Sequence, residues 1–189
     1  MATKTRVSLE EFLAMPETEP ASELIDGEVV QKMAPSLYHS SLVLEIGALL
    51  RNHLKVTREA RVDTELRHIW PAEDRVFLPD VSVTLKGRVS LDPALRRRGP
   101  IPVQPDLAIE VLSPDDQAGR VFERADFYMR SGVTLAWFVD PDSESITIYR
   151  PGRAPTVHRS PAVIDAQPVL QGFTLDLAAL FAVLYEDDE

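Results

Sequence analysis

The sequence predicts an α/β fold: a mixed β-sheet flanked by helices, with an N-terminal hairpin. Three observations lead there. Short apolar runs rich in Val, Ile, Leu and Phe recur between Ala60 and Asp140. Two segments, 36–55 and 117–132, instead repeat their apolar residues at helical spacing. The two kinds of segment interleave without internal repeat or low-complexity linker over 189 residues, a length that suits one domain (1–189) with a sizeable core.

SLEEFLAM (8–15) reads as a short helix, because Ser8 and Glu11 are spaced as a capping box, and Pro16 to Pro20 end it. In SELIDGEVVQKM (22–33) two apolar runs flank Asp26-Gly27, the strongest short hairpin signal. SLYHSSLVLEIGALLRNHLK (36–55) is a helix with Ser36 as its cap; Val43, Ile46, Leu50 and Leu54 form one stripe, joined by Leu42 and Leu49. ARVDTELRHIW (60–70) and VFLPDVSVTL (76–85) alternate as strands do. A Pro- and Arg-rich loop (86–105) then leads into the apolar run DLAIEVLS.

QAGRVFERADFYMRSG (117–132) is amphipathic, with Val121, Ala125, Tyr128 and Phe122, Met129 as its apolar residues and Gly132 placed to end it. VTLAWFVD (133–140) is almost unbroken apolar sequence, as in a central strand covered on both faces; this puts Trp137 and Phe138 in the core. ITIYRPGRAPTVHR (146–159) forms a hairpin around Pro151-Gly152. FTLDLAALFAVLYEDDE ends the chain as a short helix fading into an acidic tail (185–189).

Composition narrows the function. Hydrophobic residues make up 44% of the chain, too many for global disorder. There is no cysteine, which excludes disulfides and thiolate zinc sites. No stretch approaches the roughly 20 apolar residues of a membrane span, and Glu10 and Glu11 interrupt any signal-like run near the N-terminus. The expectation is a soluble, cytoplasmic protein without membrane contact. A net charge of −10 argues against a protein that coats nucleic acid, but leaves room for an enzyme whose acids hold metal. Arg96, Arg97 and Arg98, with Lys86 and Arg88, form a local basic segment that reads as a solvated loop.

Glu110 is the residue that asks for an explanation. It sits among Leu107, Ala108, Ile109, Val111 and Leu112, and an ionised carboxylate in an apolar strand is costly unless paired or bound to a cation. Asp106 lies on the same strand face, but four residues along a strand is roughly 13 Å, too far to share one ion. Asp106 follows Pro105 and reads as the entry to the strand. A partner for Glu110 must come from a neighbouring strand, and Asp80 in FLPDVSV (77–83) is the candidate. Two such carboxylates side by side suit Mg²⁺, which takes one or two carboxylates and keeps several waters. The alternatives are a buried ion pair for Glu110, with Arg124 as partner, and an edge-strand position for Asp80. The four histidines (His39, His53, His68, His158) lack ligand spacing, and Ser113 lacks a nucleophile-elbow context.

Pro79-Asp80, Glu110-Val111-Leu112-Ser113-Pro114, Tyr128 with Ser131-Gly132-Val133, and Trp137-Phe138-Val139-Asp140-Pro141 together resemble the Uma-two family. That is a restriction-endonuclease-like group within the PD-(D/E)xK nuclease superfamily. Glu23-Leu24-Ile25-Asp26-Gly27-Glu28 and His39 resemble the opening hairpin and following helix of the same family, so the similarity spans roughly residues 8 to 182.

The resemblance implies a restriction-endonuclease-like core. It also implies Asp80 and Glu110 as ligands of Mg²⁺ or Mn²⁺, with Glu23 and His39 behind them, and DNA as substrate. The superfamily's lysine, two residues after the second acid, is Leu112 here. The family often supplies it from the next helix, four residues before the tyrosine, and that position is Arg124. An arginine there can steady a phosphate or a developing anion, but it cannot act as a base. Two functions follow as expectations. One is a metal-dependent endonuclease using Asp80, Glu110 and Arg124. The other is a catalytically degenerate nuclease fold acting as a homodimeric interaction module.

Overall fold

Local capping and turn chemistry set the first elements of the structure, a computed structural model that describes residues 6–90, 92–97 and 99–185. Helix α1 (Leu9–Ala14) begins at Ser8, whose hydroxyl accepts from Glu11 N while the Glu11 carboxylate accepts from Ser8 N. Strands β1 (Ser22–Ile25) and β2 (Glu28–Gln31) turn at Asp26 and Gly27, both at positive φ (52° and 79°), as a tight two-residue hairpin requires. A Cβ at Gly27 would also lie 2.9 Å from the Arg6 Cβ. Helix α2 (Leu37–Thr57) is capped by the Ser36 hydroxyl and buries Leu42, Ile46, Leu50 and Leu54.

The two stretches read as single strands each break in two. β3 (Ala60–Thr64) and β4 (His68–Trp70) part after Glu65, which takes positive φ (49°). β5 (Arg75–Phe77) and β6 (Val81–Leu85) part at Leu78-Pro79-Asp80, where proline has no N–H for a ladder. The halves then go to different sheets. β4 and β5 join the hairpin in a four-stranded sheet of order β2-β1-β5-β4. β3 and β6 enter a larger sheet. The loop 86–105 contains a short helix, α3 (Pro93–Arg97), on which Arg96 and Arg97 are exposed; Arg98 lies outside the described residues.

Beyond it, β7 (Leu107–Val111), α4 (Ala118–Arg130), β8 (Leu135–Asp140), β9 (Ser145–Tyr149) and β10 (Thr156–Arg159) follow. The larger sheet has six strands in the order β10-β9-β8-β7-β6-β3, and only the β7–β8 pair, joined through α4, is parallel. A further hairpin, β11 (Val163–Asp165) with β12 (Thr174–Asp176), carries no sequence signal noted above; α5 (Leu177–Ala182) and a 3₁₀ turn (Val183–Tyr185) follow it. Residues 186–189 of the acidic tail lie outside the described residues. No helix among the described residues is long and apolar enough to cross a membrane.

The six-stranded sheet is covered on both faces, and strand alternation sorts its side chains between them. Leu107, Ile109 and Val111 pack with α2, α5 and Trp137. Ala108 and Phe138 face the other way, toward Ala125, Phe127 and Tyr128 of α4 and toward Trp70 and Phe77 of the small sheet. The small alanines 108 and 136 leave room for that aromatic cluster. His68 ties the two sheets together: Nδ1 meets the Val103 carbonyl at 2.6 Å and Nε2 meets Ser82 Oγ at 3.0 Å. Burial lowers its pKa to about 4, so it is a neutral internal strut.

Helix α4 corrects one sequence expectation. Phe122 is 64% exposed, and Phe127 takes its place in the core beside Ala125 and Tyr128. The Phe127 ring lies 5.2 Å from Phe77 and 5.5 Å from Trp70, aromatic partners supplied by another sheet. Truncating Phe127→Ala should therefore cost about 3–5 kcal/mol, and Phe122→Ala about 0.5 kcal/mol or less. Urea unfolding of the two variants gives the comparison directly.

Candidate active site

The site begins with a register. β6 and β7 run antiparallel, with Val81 opposite Ile109, Ser82 opposite Ala108 and Val83 opposite Leu107. One residue further, Asp80 comes opposite Glu110 on the face toward α4 and the small sheet. β6 is flanked by β3 and β7, so Asp80 is not at a sheet edge. It precedes β6 in the bend after Pro79, which frees its side chain to turn back onto the neighbouring strand. Asp80 Oδ2 accepts from Val111 N at 2.7 Å.

Two cationic or ionisable groups meet the same carboxylate. His39, in the first turn of α2, brings Nε2 to 3.2 Å from Asp80 Oδ2. Lys32, one residue beyond β2, brings Nζ to 2.6 Å from Oδ1 and donates to the Leu78 carbonyl at 2.8 Å. Burial alone would raise the Asp80 pKa, but the His39 hydrogen bond and the Lys32 charge outweigh it and hold it at about 2. Asp80 is ionised at neutral pH.

Glu110 has a different set of neighbours. Tyr128 OH donates to Oε1 at 2.5 Å, and Arg124 Nη1 lies 3.0 Å from Oε2. Arg124 Nη2 pairs with Glu23 Oε2, while Glu23 Oε1 accepts from Leu78 N at 2.8 Å. Its guanidinium also lies over the Phe77 ring, 5.1 Å from the centroid. Burial pushes the Glu110 pKa up to about 7; Arg124 opposes the shift and the nearby Asp80 charge adds to it. Burial likewise drives the Tyr128 hydroxyl well above its usual range, so it donates as a neutral phenol.

The structure thus brings together Asp80, Glu110, Arg124, Glu23 and His39. Glu23 is buried, not solvent-facing, and Glu110 does form the ion pair with Arg124 that was the alternative to a metal site. Asp106 stands apart, accepting from Leu85 N at 2.8 Å and pairing with Arg88 at 2.6 Å at the entry to β7. The assembled groups line a cleft of about 940 Å³ between the hairpin, α2 and α4. Its lining mixes Arg6, Arg75, Arg120 and Arg130 with Asp115, Asp116, Glu123 and Asp126, so among the described residues acids interrupt its basic side chains.

Residues 9–178 match the model of a family described as Uma2, "Putative restriction endonuclease". The chain belongs to the Uma2 family. A crystal structure described as "a putative nuclease belonging to DUF820", from Anabaena variabilis, is 32% identical, with a TM-score of 0.85, 94% of this chain covered and 99% of that one. No curated protein matches the chain. The mixed sheet flanked by helices is therefore a nuclease-like fold in this Uma2 protein.

Lys32 is the residue of this site that sequence reasoning missed. The signal was available in the hairpin: Glu23 pairs with Val30, and the same register continues to Ala21 and Lys32, whose N donates to the Ala21 carbonyl at 2.9 Å. Glu23 and Lys32 therefore share a face, so an inward Glu23 implies an inward Lys32.

As for donor chemistry, the two carboxylates are hard oxygen ligands in the number that Mg²⁺ takes. Among the described residues no group of three or more His, Asp and Glu is placed to hold a metal ion. A dication in this Uma2 site would thus bind through two protein carboxylates and keep most of its shell as water. The Glu110 pKa is raised first by burial, and a dication beside it would offset that desolvation of the charged form.

Between 4.5 and about 7, folded Glu110 keeps a proton that the unfolded chain has lost. Stability should therefore fall as pH rises through that window, by on the order of 3 kcal/mol at most, and level off above it. Glu110→Gln, neutral throughout, should not show this fall. Urea midpoints at about pH 5 and pH 8 should show the parent losing stability relative to the variant.

Proposed function

We propose that this Uma2 protein is a divalent-metal-dependent endonuclease that hydrolyses phosphodiester bonds of DNA, with Asp80 and Glu110 as the ligands of Mg²⁺ or Mn²⁺. One observation carries the reading: the β6–β7 register sets two buried acids from adjacent strands opposite one another in a cleft. A dication bound there would supply a polarised water and charge neutralisation at the phosphate. Hydrolysis would join a water oxygen to phosphorus in line with the ester oxygen, which leaves with the bonding pair and a proton from solvent while the water gives one up to solvent.

The chain's own residues prepare the place for this step. Val111 N and His39 fix the rotamer of Asp80, so its free lone pairs point the same way in every molecule. Tyr128 and Arg124 do the same for Glu110. Arg124 keeps its charge at any working pH: burial lowers its pKa, but the pairs with Glu110 and Glu23 outweigh that and raise it. It can hold a phosphate oxygen but cannot take a proton from water. The arginines on the cleft rim would meet flanking phosphates, and the acids among them make binding depend on the metal.

A second reading rests on a specific contact. Both terminal nitrogens of Arg124 are already engaged, by Glu110 and Glu23. A guanidinium so held could be a strut in a catalytically degenerate nuclease fold that works in the cytoplasm as a homodimeric interaction module.

Titrating Mn²⁺ calorimetrically into the parent and Asp80→Ala separates the two readings first. Site-specific heat should appear only in the parent. Plasmid nicking with Mg²⁺ or Mn²⁺ comes next: Asp80→Ala and Glu110→Ala should each lower the rate by about 10²-fold or more, the scale of losing a group that stabilises developing charge. A parent without activity, converted to an active enzyme by Arg124→Lys, would establish the degenerate reading instead.

A further inference from the structure

Two cations touch the acid pair, Arg124 at Glu110 and Lys32 at Asp80. Arg124 is committed to Glu110 and Glu23 through both terminal nitrogens and lies against Phe77. Lys32 is different. An ammonium has three N–H donors; here one goes to the Leu78 carbonyl and one to Asp80 Oδ1, and the third has no protein acceptor among the described residues. The side chain is largely buried (16% exposed), yet it lines the cleft. Its backbone is fixed by the hairpin ladder, so the position of Nζ does not depend on a flexible loop.

The chemistry of the position suits a compact donor. Lys32 Nζ bonds the Leu78 carbonyl and Asp80, whereas Arg124 pairs with Glu110, the other acid of the pair. A phosphate drawn to the pair would therefore find Arg124 beside Glu110 and Lys32 beside Asp80. Leu112, two residues after Glu110, offers no charge at all.

We propose that Lys32 is a catalytic residue of the nuclease reaction proposed above, donating its third N–H to a non-bridging oxygen of the scissile phosphate. The inference rests on that reading of the site. During the step the water oxygen bonds to phosphorus and gives its proton to solvent, and the ester oxygen leaves with the P–O bonding pair and takes a proton from solvent. Lys32 keeps its three protons and offsets the charge gathering on the phosphoryl oxygens. A second consequence has the opposite sign. The ammonium sits 2.6 Å from Asp80 Oδ1, so it opposes a dication at the same carboxylate. Removing it should slow cleavage without weakening metal binding. A residue that merely propped up Asp80 would weaken both.

The absence of cysteine from the chain permits a clean test. Lys32→Cys introduces a single thiol, which bromoethylamine converts to a lysine-like ammonium and iodoacetamide to a neutral amide of similar length. Both forms are checked by thermal unfolding and compared with Lys32→Met for plasmid cleavage and calorimetric Mn²⁺ binding. Lys32→Met and the amide form should lose about 10²–10³-fold in kcat, the range for a charge-stabilising donor. Mn²⁺ affinity in both should be unchanged or tighter. The aminoethylated form should recover to within about tenfold of the parent, the residue of imperfect placement. Equal cleavage by the parent and the amide form, or loss of Mn²⁺ binding in step with kcat, would overturn the role of Lys32 alone. A parent that binds Mn²⁺ and cleaves no DNA would overturn the nuclease reading, and this assignment with it.

Discussion

In the register that pairs Val81 with Ile109, every second residue of β7 faces α2 and α5, and those between face α4 and the small sheet. A slip of one residue would bury Glu110 against Leu50 and Leu54 and send Ile109 into the cleft. Packing on both faces forbids that slip. Leu107, Ile109 and Val111 are buried on one side, and Ala108 is enclosed on the other by side chains too bulky to accept anything larger. Asp80 adds a lock of its own through the Val111 N–H. The bond that fixes the strand pairing is thus made by one of the two acids that the pairing brings together.

The bend at Leu78-Pro79-Asp80 has a comparable role between the sheets. Two of its backbone groups are answered from the hairpin: Leu78 N by the Glu23 carboxylate and the Leu78 carbonyl by Lys32. A buried polar group left without a partner costs about 1–3 kcal/mol, so the small sheet is held against the large one by the side chains that line the cleft. Stability and site are hard to separate here. Removing Glu23 would strip both Leu78 N and Arg124 of a partner, and removing Arg124 would leave two buried carboxylates uncompensated.

What the sequence revealed and what it hid divide along physical lines. The caps at Ser8 and Ser36 and the Asp26-Gly27 turn are local, so residue types within four positions determine them. Glu110 was visible because a carboxylate in an apolar strand violates a local rule. The breaks at Glu65 and Pro79 were hidden because alternation continues across them; only the sheet each half joins reveals the division. Phe127 was misjudged because its partners, Trp70 and Phe77, come from a strand pair about fifty residues away in sequence. The Lys32–Asp80 contact spans 48 residues and depends on two sheets meeting, which no periodicity encodes.

Charge balance connects the buried groups to the chemistry. Glu23, Asp80 and Glu110 are each no more than 5% exposed, and the fixed cations among their contacts are Lys32 and Arg124. Counted without His39, three carboxylates face two fixed cations, which leaves one negative charge in excess. The surplus falls on Glu110 and not on Asp80, because Asp80 has a backbone N–H, His39 and Lys32 on its two oxygens, whereas Glu110 shares Arg124 with Glu23. A proton can settle the imbalance at low pH: burial pushes the Glu110 pKa up to about 7, and the Asp80 charge adds to the shift. Above that pH the proton leaves, and any cation able to reach both carboxylates gains from the same surplus. A dication would overshoot by one positive charge and so favour an anionic ligand beside it, which is the condition a phosphodiester meets. One of the two neighbouring acids is firmly ionised and the other poised, and that is the charge state the proposed dication and phosphate would meet.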